Sequence, residues 1–214
     1  MASKFKIRFE TFAAMVLIIA ATVCAGHAAW ASIAQSRNYY DLIALAQRAD
    51  RTGRIPESAP AIWETRLQAI VDEDICRSDI VMAGMNVVLE GVDRRIGEPD
   101  AELRRSTLAS AEIYLRHALA CLPNNGNVWL RLAMVRSLEV MLPAELATLL
   151  ARSQALLPGE ANAVLGRFML WNQLPETARA LASNAYASDL AIACSRKGVR
   201  IKRIAEVDCE AAAP

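Results

Sequence analysis

Twenty-six residues without a charged side chain, 11–36, separate Glu10 from Arg37. About 20 apolar residues cross a bilayer core as a helix, so the run is long enough. Its most apolar part is 12–25, followed by a softer Gly26-His27-Ala28-Ala29-Trp30-Ala31. Lys4, Lys6 and Arg8 precede it, and the positive-inside bias puts that end in the cytoplasm. Trp30, Tyr39 and Tyr40 are candidates for an aromatic belt at the far interface. The competing reading is a cleaved signal peptide with Ala29-Trp30-Ala31 as its A-x-A site. Run length, and a helix-compatible pattern continuing through Ile33, Leu42, Ile43, Leu45 and Ala46, favour a retained anchor. Thr22-Val23 before Cys24 is a poor match to a lipidation site. A buried core helix explains neither the basic flank nor the length. Either export reading places residues after about 37 outside the cytoplasm. The expected topology is therefore a single crossing, with most of the chain outside the cytoplasm.

Four cysteines lie in the exported part: Cys76, Cys121, Cys194 and Cys209. An even count in an oxidising compartment suits two disulfides, and four cysteines allow three pairings. Gly97-Glu98-Pro99-Asp100 reads as a turn between two long helical patterns. Cys76 lies 22 residues before Glu98 and Cys121 lies 22 after Pro99. An antiparallel hairpin brings those positions level, as a disulfide requires. Cys194 and Cys209 then pair around the C-terminal segment. Buried free thiols are the alternative. There is no C-x-x-C, and His27 and His117 are read as having no ligand spacing with any cysteine, so a structural zinc site is not expected.

The 214 residues are 54% hydrophobic and 22% charged, too apolar for a disordered chain. Lysine plus arginine, 24, balances aspartate plus glutamate, 23, so no global field draws in nucleic acid. Nine glycines and eight prolines in an alanine- and leucine-rich chain favour helix over sheet. The prolines after the apolar run punctuate helical patterns without interrupting a strong one. Seven helices are expected. One starts at Ser58-Ala59-Pro60, a second spans 78–95, and a third is capped by Pro99-Asp100. A fourth covers 128–142, and the others begin near Pro143, Pro158-Gly159 and Pro175. The fourth carries apolar residues almost all round, including Val128, Trp129, Leu132, Ala133, Val135, Leu138 and Val140. Such a helix belongs at the centre of a stack, with Arg131, Arg136 and Glu139 on its accessible strip.

Ala111, Leu115, Ala118, Leu119 and Pro123, followed by Trp129, Leu132 and Ala133, resemble the tetratricopeptide repeat, a helix-turn-helix unit. The next matching proline is Pro158, a period of 35. The likeness covers residues 107–158 and then decays. Arg136 replaces a tyrosine, Ser153-Gln154 an alanine-leucine pair, and Arg167 a leucine. Degenerate neighbours must complete the core, because such arrays need about three repeats. The resemblance implies an all-α, antiparallel helical array of the α-solenoid type. The order of anchor, cysteine-bearing helix pair and repeat also resembles small helical proteins associated with bacterial envelope polysaccharide synthesis. That likeness implies a scaffold or adaptor, held in a bacterial inner membrane with the bulk of the chain periplasmic.

Arg196, Lys197, Arg200, Lys202 and Arg203 crowd eight residues near the C-terminus. They suit docking to lipid headgroups or an anionic glycan, against the plainer reading of a solvated face. Glu206, Asp208 and Glu210 neutralise them locally, and the interleaved Val199, Ile201 and Ile204-Ala205 allow a short strand or edge hairpin. No Walker loop, G-x-G-x-x-G, G-x-S-x-G or H-E-x-x-H is present. Asp72-Glu73-Asp74 reads as a helix end, since consecutive residues do not share a helix face. His117 reads as a surface histidine with no nucleophile at useful spacing along its helix.

The expectation is an anchor (1–36), a juxtamembrane segment (37–59), a helical domain (60–190) and a basic end (191–214). The expected role is a non-enzymatic adaptor without cofactor or metal, binding an envelope protein partner. A glycan- or anionic-surface-binding accessory is the alternative.

Overall fold

The computed structural model describes residues 2–52, 55–56, 58–139 and 142–209, with side chains from residue 14 onward except at 50, 59 and 60. Val140, Glu210 and the side chains of Lys4, Lys6 and Arg8 lie outside the described residues. All regular structure among the described residues is helical. The chain divides into two compact units, Met1–Leu45 and Ala46–Pro214.

Helix α1, Ala2–Thr52, supplies all the described residues of the first unit. Met15, Leu17, Ile18, Ile19 and Val23 are exposed around its circumference. The stretch Ala14–Ala49 is long and apolar enough to cross a membrane. Two of its hydroxyls are satisfied within the helix: Thr22 Oγ1 donates to the Ile18 carbonyl at 2.8 Å and Ser36 Oγ to that of Ser32 at 2.8 Å. Such pairing keeps polar groups tolerable in hydrocarbon. Trp30 and Tyr40 are exposed while Tyr39 is buried, so only the first two can supply an interfacial belt.

The second unit is a succession of short helices: α2 (Ala59–Asp72), α3 (Ser78–Arg95), α4 (Ala101–Cys121), α5 (Gly126–Glu139), α6 (Pro143–Leu156) and α7 (Ala161–Trp171). There follow α8 (Glu176–Leu181), α9 (Ser183–Ala193), a 3-10 turn (Arg196–Gly198) and α10 (Val199–Ile204). Local chemistry sets the boundaries. The Asp100 carboxylate accepts from the N–H groups of Glu102 and Leu103 at the start of α4, as Glu160 does from Asn162 and Ala163 at α7. Helix α2 is closed off two residues past its end by Asp74, whose φ of 51° lets the Ile75 N–H reach back to the Ile70 carbonyl at 3.0 Å. The acidic triplet Asp72-Glu73-Asp74 is thus a helix end.

Helices α3 and α4 form an antiparallel hairpin. Tyr114 Oη, buried on α4, donates to the Val81 carbonyl on α3 at 3.0 Å. Gly84 makes room for that ring; a Cβ there would run into the tyrosine hydroxyl. Helix α5 packs against α4, α6 and α7 and buries Val128, Leu130, Leu132, Ala133 and Val135, the central place expected of it. Its first residue, Gly126, lies so close to Leu157 and the Ser153 carbonyl that no side chain fits. The ends of α4 and α6, 35 residues apart, share one geometry. Leu122 (φ −129°, ψ 57°) and Leu157 (φ −143°, ψ 63°) each precede proline and return an N–H four residues back, to Ala118 and Ser153. Proline drives the preceding residue out of helix, so both turns stop alike.

Two expectations are corrected. The pattern from Pro175 is not one helix: it breaks at Ala182 (φ −126°, ψ 34°). Ala178, Ala182, Ala185, Asp189 and Ala193 are buried on both sides of the break, at the three- and four-residue spacing of one helix face. The basic end is neither strand nor hairpin but the 3-10 turn and α10. Its apolar positions, Ile201 and Ala205, turn inward at four-residue spacing, and Asn172 Nδ2 donates to the Ala205 carbonyl at 2.7 Å.

Candidate functional site

Both expected cysteine pairs stand at disulfide distance. Cys76 and Cys121 are joined at 2.01 Å with Cα atoms 4.9 Å apart, and Cys194 and Cys209 at 2.02 Å with Cα atoms 5.7 Å apart. Cys76 sits in the α2–α3 connection, exposed, and Cys121 is the half-buried last residue of α4. The antiparallel hairpin brings them level. Arg77 holds the start of α3 by a two-pronged contact to Asp79, at 2.8 and 2.6 Å. The hydrogen bond from Arg77 outweighs desolvation and keeps the Asp79 carboxyl below the usual carboxylate range.

His117 corrects the sequence reading. Its side chain is only 7% exposed, one turn before Cys121. Nε2 lies 3.1 Å from the Ile75 carbonyl and 3.6 Å from Cys121 Sγ, while Nδ1 faces Asp74 Oδ1 at 3.6 Å. Because a carbonyl only accepts, the Ile75 contact assigns a proton to Nε2. The i, i+4 spacing of His117 and Cys121 was the available signal, since it puts both on one helix face. The donor atoms of Asp74, His117 and Cys121 all lie within 4.8 Å of one another. Zinc binds cysteine as thiolate, and the Cys121 sulfur is committed to Cys76. An open depression of about 460 Å³ is lined by Cys121, Pro123, Asn124 and Leu157 among others.

A smaller cleft of about 130 Å³ opens between α3, α4 and α5. Val92, Ile96, Leu108 and Leu138 line it, with Arg95, Arg104 and Thr107. Ile96 and Leu138 are 53% and 44% exposed, so the apolar floor meets solvent. Arg104 donates to the Glu98 carbonyl at 2.7 Å, which fixes one side of the cleft.

Arg136 and Glu139 do not lie on a free strip of α5. The Arg136 guanidinium reaches Glu112 on α4 (3.1 Å), Glu139 (2.9 Å) and Glu145 on α6 (3.1 Å). The Glu145 hydrogen bonds, with the charge of Glu112, hold Arg136 more firmly protonated than usual. Burial, together with the neighbouring Glu112 carboxylate, pushes Glu139 up. Burial also acts against Glu112, but Arg116 and Arg136 bring it down.

Arg167 and Asp189 are fully buried and joined by two contacts of 2.7 Å. Trp171 Nε1 donates to Asp189 Oδ2 at 3.0 Å, and Arg167 Nη1 to Ser153 Oγ at 3.3 Å and the Leu157 carbonyl at 3.2 Å. This network ties α6, α7 and α9 together; with every partner inside the domain, it reads as structural. Arg196, Lys197, Arg200, Lys202 and Arg203 are all exposed on the last two helical turns.

No family model matches the chain, and no curated protein or solved structure is significantly similar to it.

Proposed function

We propose that this chain is a single-pass membrane protein that holds a tetratricopeptide-repeat-like domain on the oxidising side of the bacterial inner membrane. There it acts as an adaptor for an envelope protein, in the service of polysaccharide synthesis or export. The carrying observation is the cleft between α3, α4 and α5, where exposed apolar side chains lie between arginines on consecutive helices. Apolar floors with a charged rim mark protein-binding sites on helical stacks. The chemistry suits an extended or helical segment with apolar anchors and carboxylates. The shared turn geometry at Leu122 and Leu157 supports the repeat reading, and the apolar α1 supports the tether.

A photo-crosslinking residue placed at Leu138 should capture a distinct membrane-associated neighbour. Ile96→Asp should abolish that product while leaving helicity unchanged, because Ile96 is largely exposed. An adduct pattern unaffected by Ile96→Asp would remove the cleft from the account. The second reading, binding to an anionic glycan or surface, rests on the five exposed cations near the C-terminus. Retention of the protein on an anionic glycan column, lost when all five are replaced by glutamate, would favour it.

A further inference from the structure

We propose that Cys76–Cys121 is a site of thiol–disulfide exchange, with His117 holding the departing sulfur and a dithiol protein as the partner. The inference is independent of the adaptor reading. It starts from the asymmetry of the pair. Cys76 is exposed on a connection, whereas Cys121 is half-buried at a helix end, beside a nearly buried imidazole. An incoming thiolate therefore reaches Cys76 more easily than Cys121. Exchange depends on which sulfur is attacked and on how well the other leaves.

The leaving sulfur has a waiting donor. His117 Nε2–H points into the space between the Ile75 carbonyl (3.1 Å) and Cys121 Sγ (3.6 Å). As negative charge gathers on Cys121, that hydrogen swings to the sulfur, because bonds to an ionised acceptor are roughly twice as strong as neutral ones. The Ile75 carbonyl, 3.1 Å from Nε2, fixes the orientation of the ring. Cys194–Cys209 has no histidine of this kind, since the other one is His27 in α1.

The chemistry balances with a dithiol alone. The partner's thiolate bonds to Cys76 Sγ, the Cys76–Cys121 bond breaks, and its electron pair stays on Cys121. The partner's second thiol gives its proton to the Cys121 thiolate and attacks the partner's own first sulfur. A disulfide forms within the partner, and Cys76 leaves as thiolate. The partner is oxidised by two electrons and the cysteine pair is reduced by two.

The test uses the full chain in detergent micelles. Glutathione, a monothiol, should be trapped on Cys76, with Cys121 the sulfur found alkylated. Reduction by dithiothreitol should be roughly tenfold slower or more in His117→Gln, which keeps an amide N–H for Ile75 but loses the imidazole. Cys194–Cys209 should be reduced at one rate in both proteins, which separates a local effect from loosening of the domain. Glutathione found on Cys121, or equal rates for native protein and His117→Gln at Cys76–Cys121, would overturn the proposal. A glutamine variant that loosens the whole domain would accelerate both pairs, and the adduct position in the native protein then decides alone.

Discussion

Asp189→Ala is expected to destabilise the helical domain by about 3–5 kcal/mol, the range found when one partner of a buried ion pair is removed. Arg167 and Asp189 have no solvent exposure. Removing the carboxylate strands a guanidinium in the interior and leaves the Trp171 Nε1–H without its acceptor. The remaining contacts of Arg167, to Ser153 Oγ and the Leu157 carbonyl, are with neutral groups and cannot neutralise it. Replacing both, as Arg167→Met with Asp189→Leu, should recover most of the loss, because an apolar pair of similar volume avoids the desolvation cost. Denaturant unfolding followed by circular dichroism checks both. If the single variant is no less stable than native protein, α6, α7 and α9 are not held by this pair.

Removing the long disulfide should have the next largest effect. Cys76→Ser with Cys121→Ser opens a loop set by a separation of 45 residues, against 15 for Cys194–Cys209. Chain entropy then assigns about 4 kcal/mol to the first pair and about 3 to the second, less any native strain. The first double variant should melt at the lower temperature while its helical signal at low temperature is kept. The reverse order of melting temperatures would mean that the α3–α4 hairpin is fixed by Tyr114 and its apolar face rather than by the bond. A loss of about 4 kcal/mol is smaller than the roughly 5–15 kcal/mol that ordinary domains possess, so a reduced, exchanged form remains folded.

What the sequence revealed follows from how local each signal is. The start of α4 was legible because Asp100 caps it directly, and the α3 boundaries because the apolar period is unbroken from Ile80 to Val92. The level pairing of Cys76 with Cys121 needed only a turn and equal arm lengths. The break at Ala182 was not legible: no glycine or proline marks it, and the buried positions keep helical spacing across it from Ala178 to Ala193. Departures from the repeat pattern had a reason that spacing alone could not show. Ser153 and Arg167 look like separate lapses, yet they meet in one buried network around Asp189. Arg136, at a tyrosine position, gathers three carboxylates from three helices. His117 was misread because its partners, Ile75 and Asp74, come from the end of α2, over 40 residues away.

The central claim is that one crossing near the N-terminus places the whole helical domain on the oxidising side. A reporter fused after Pro214, active only outside the cytoplasm, tests it most directly. The account predicts an active fusion that remains in the membrane fraction. An intact but inactive fusion, with activity instead from a cytoplasm-only reporter at the same position, would contradict the topology. An active but soluble product beginning at Ser32 would contradict the retained anchor while leaving export in place.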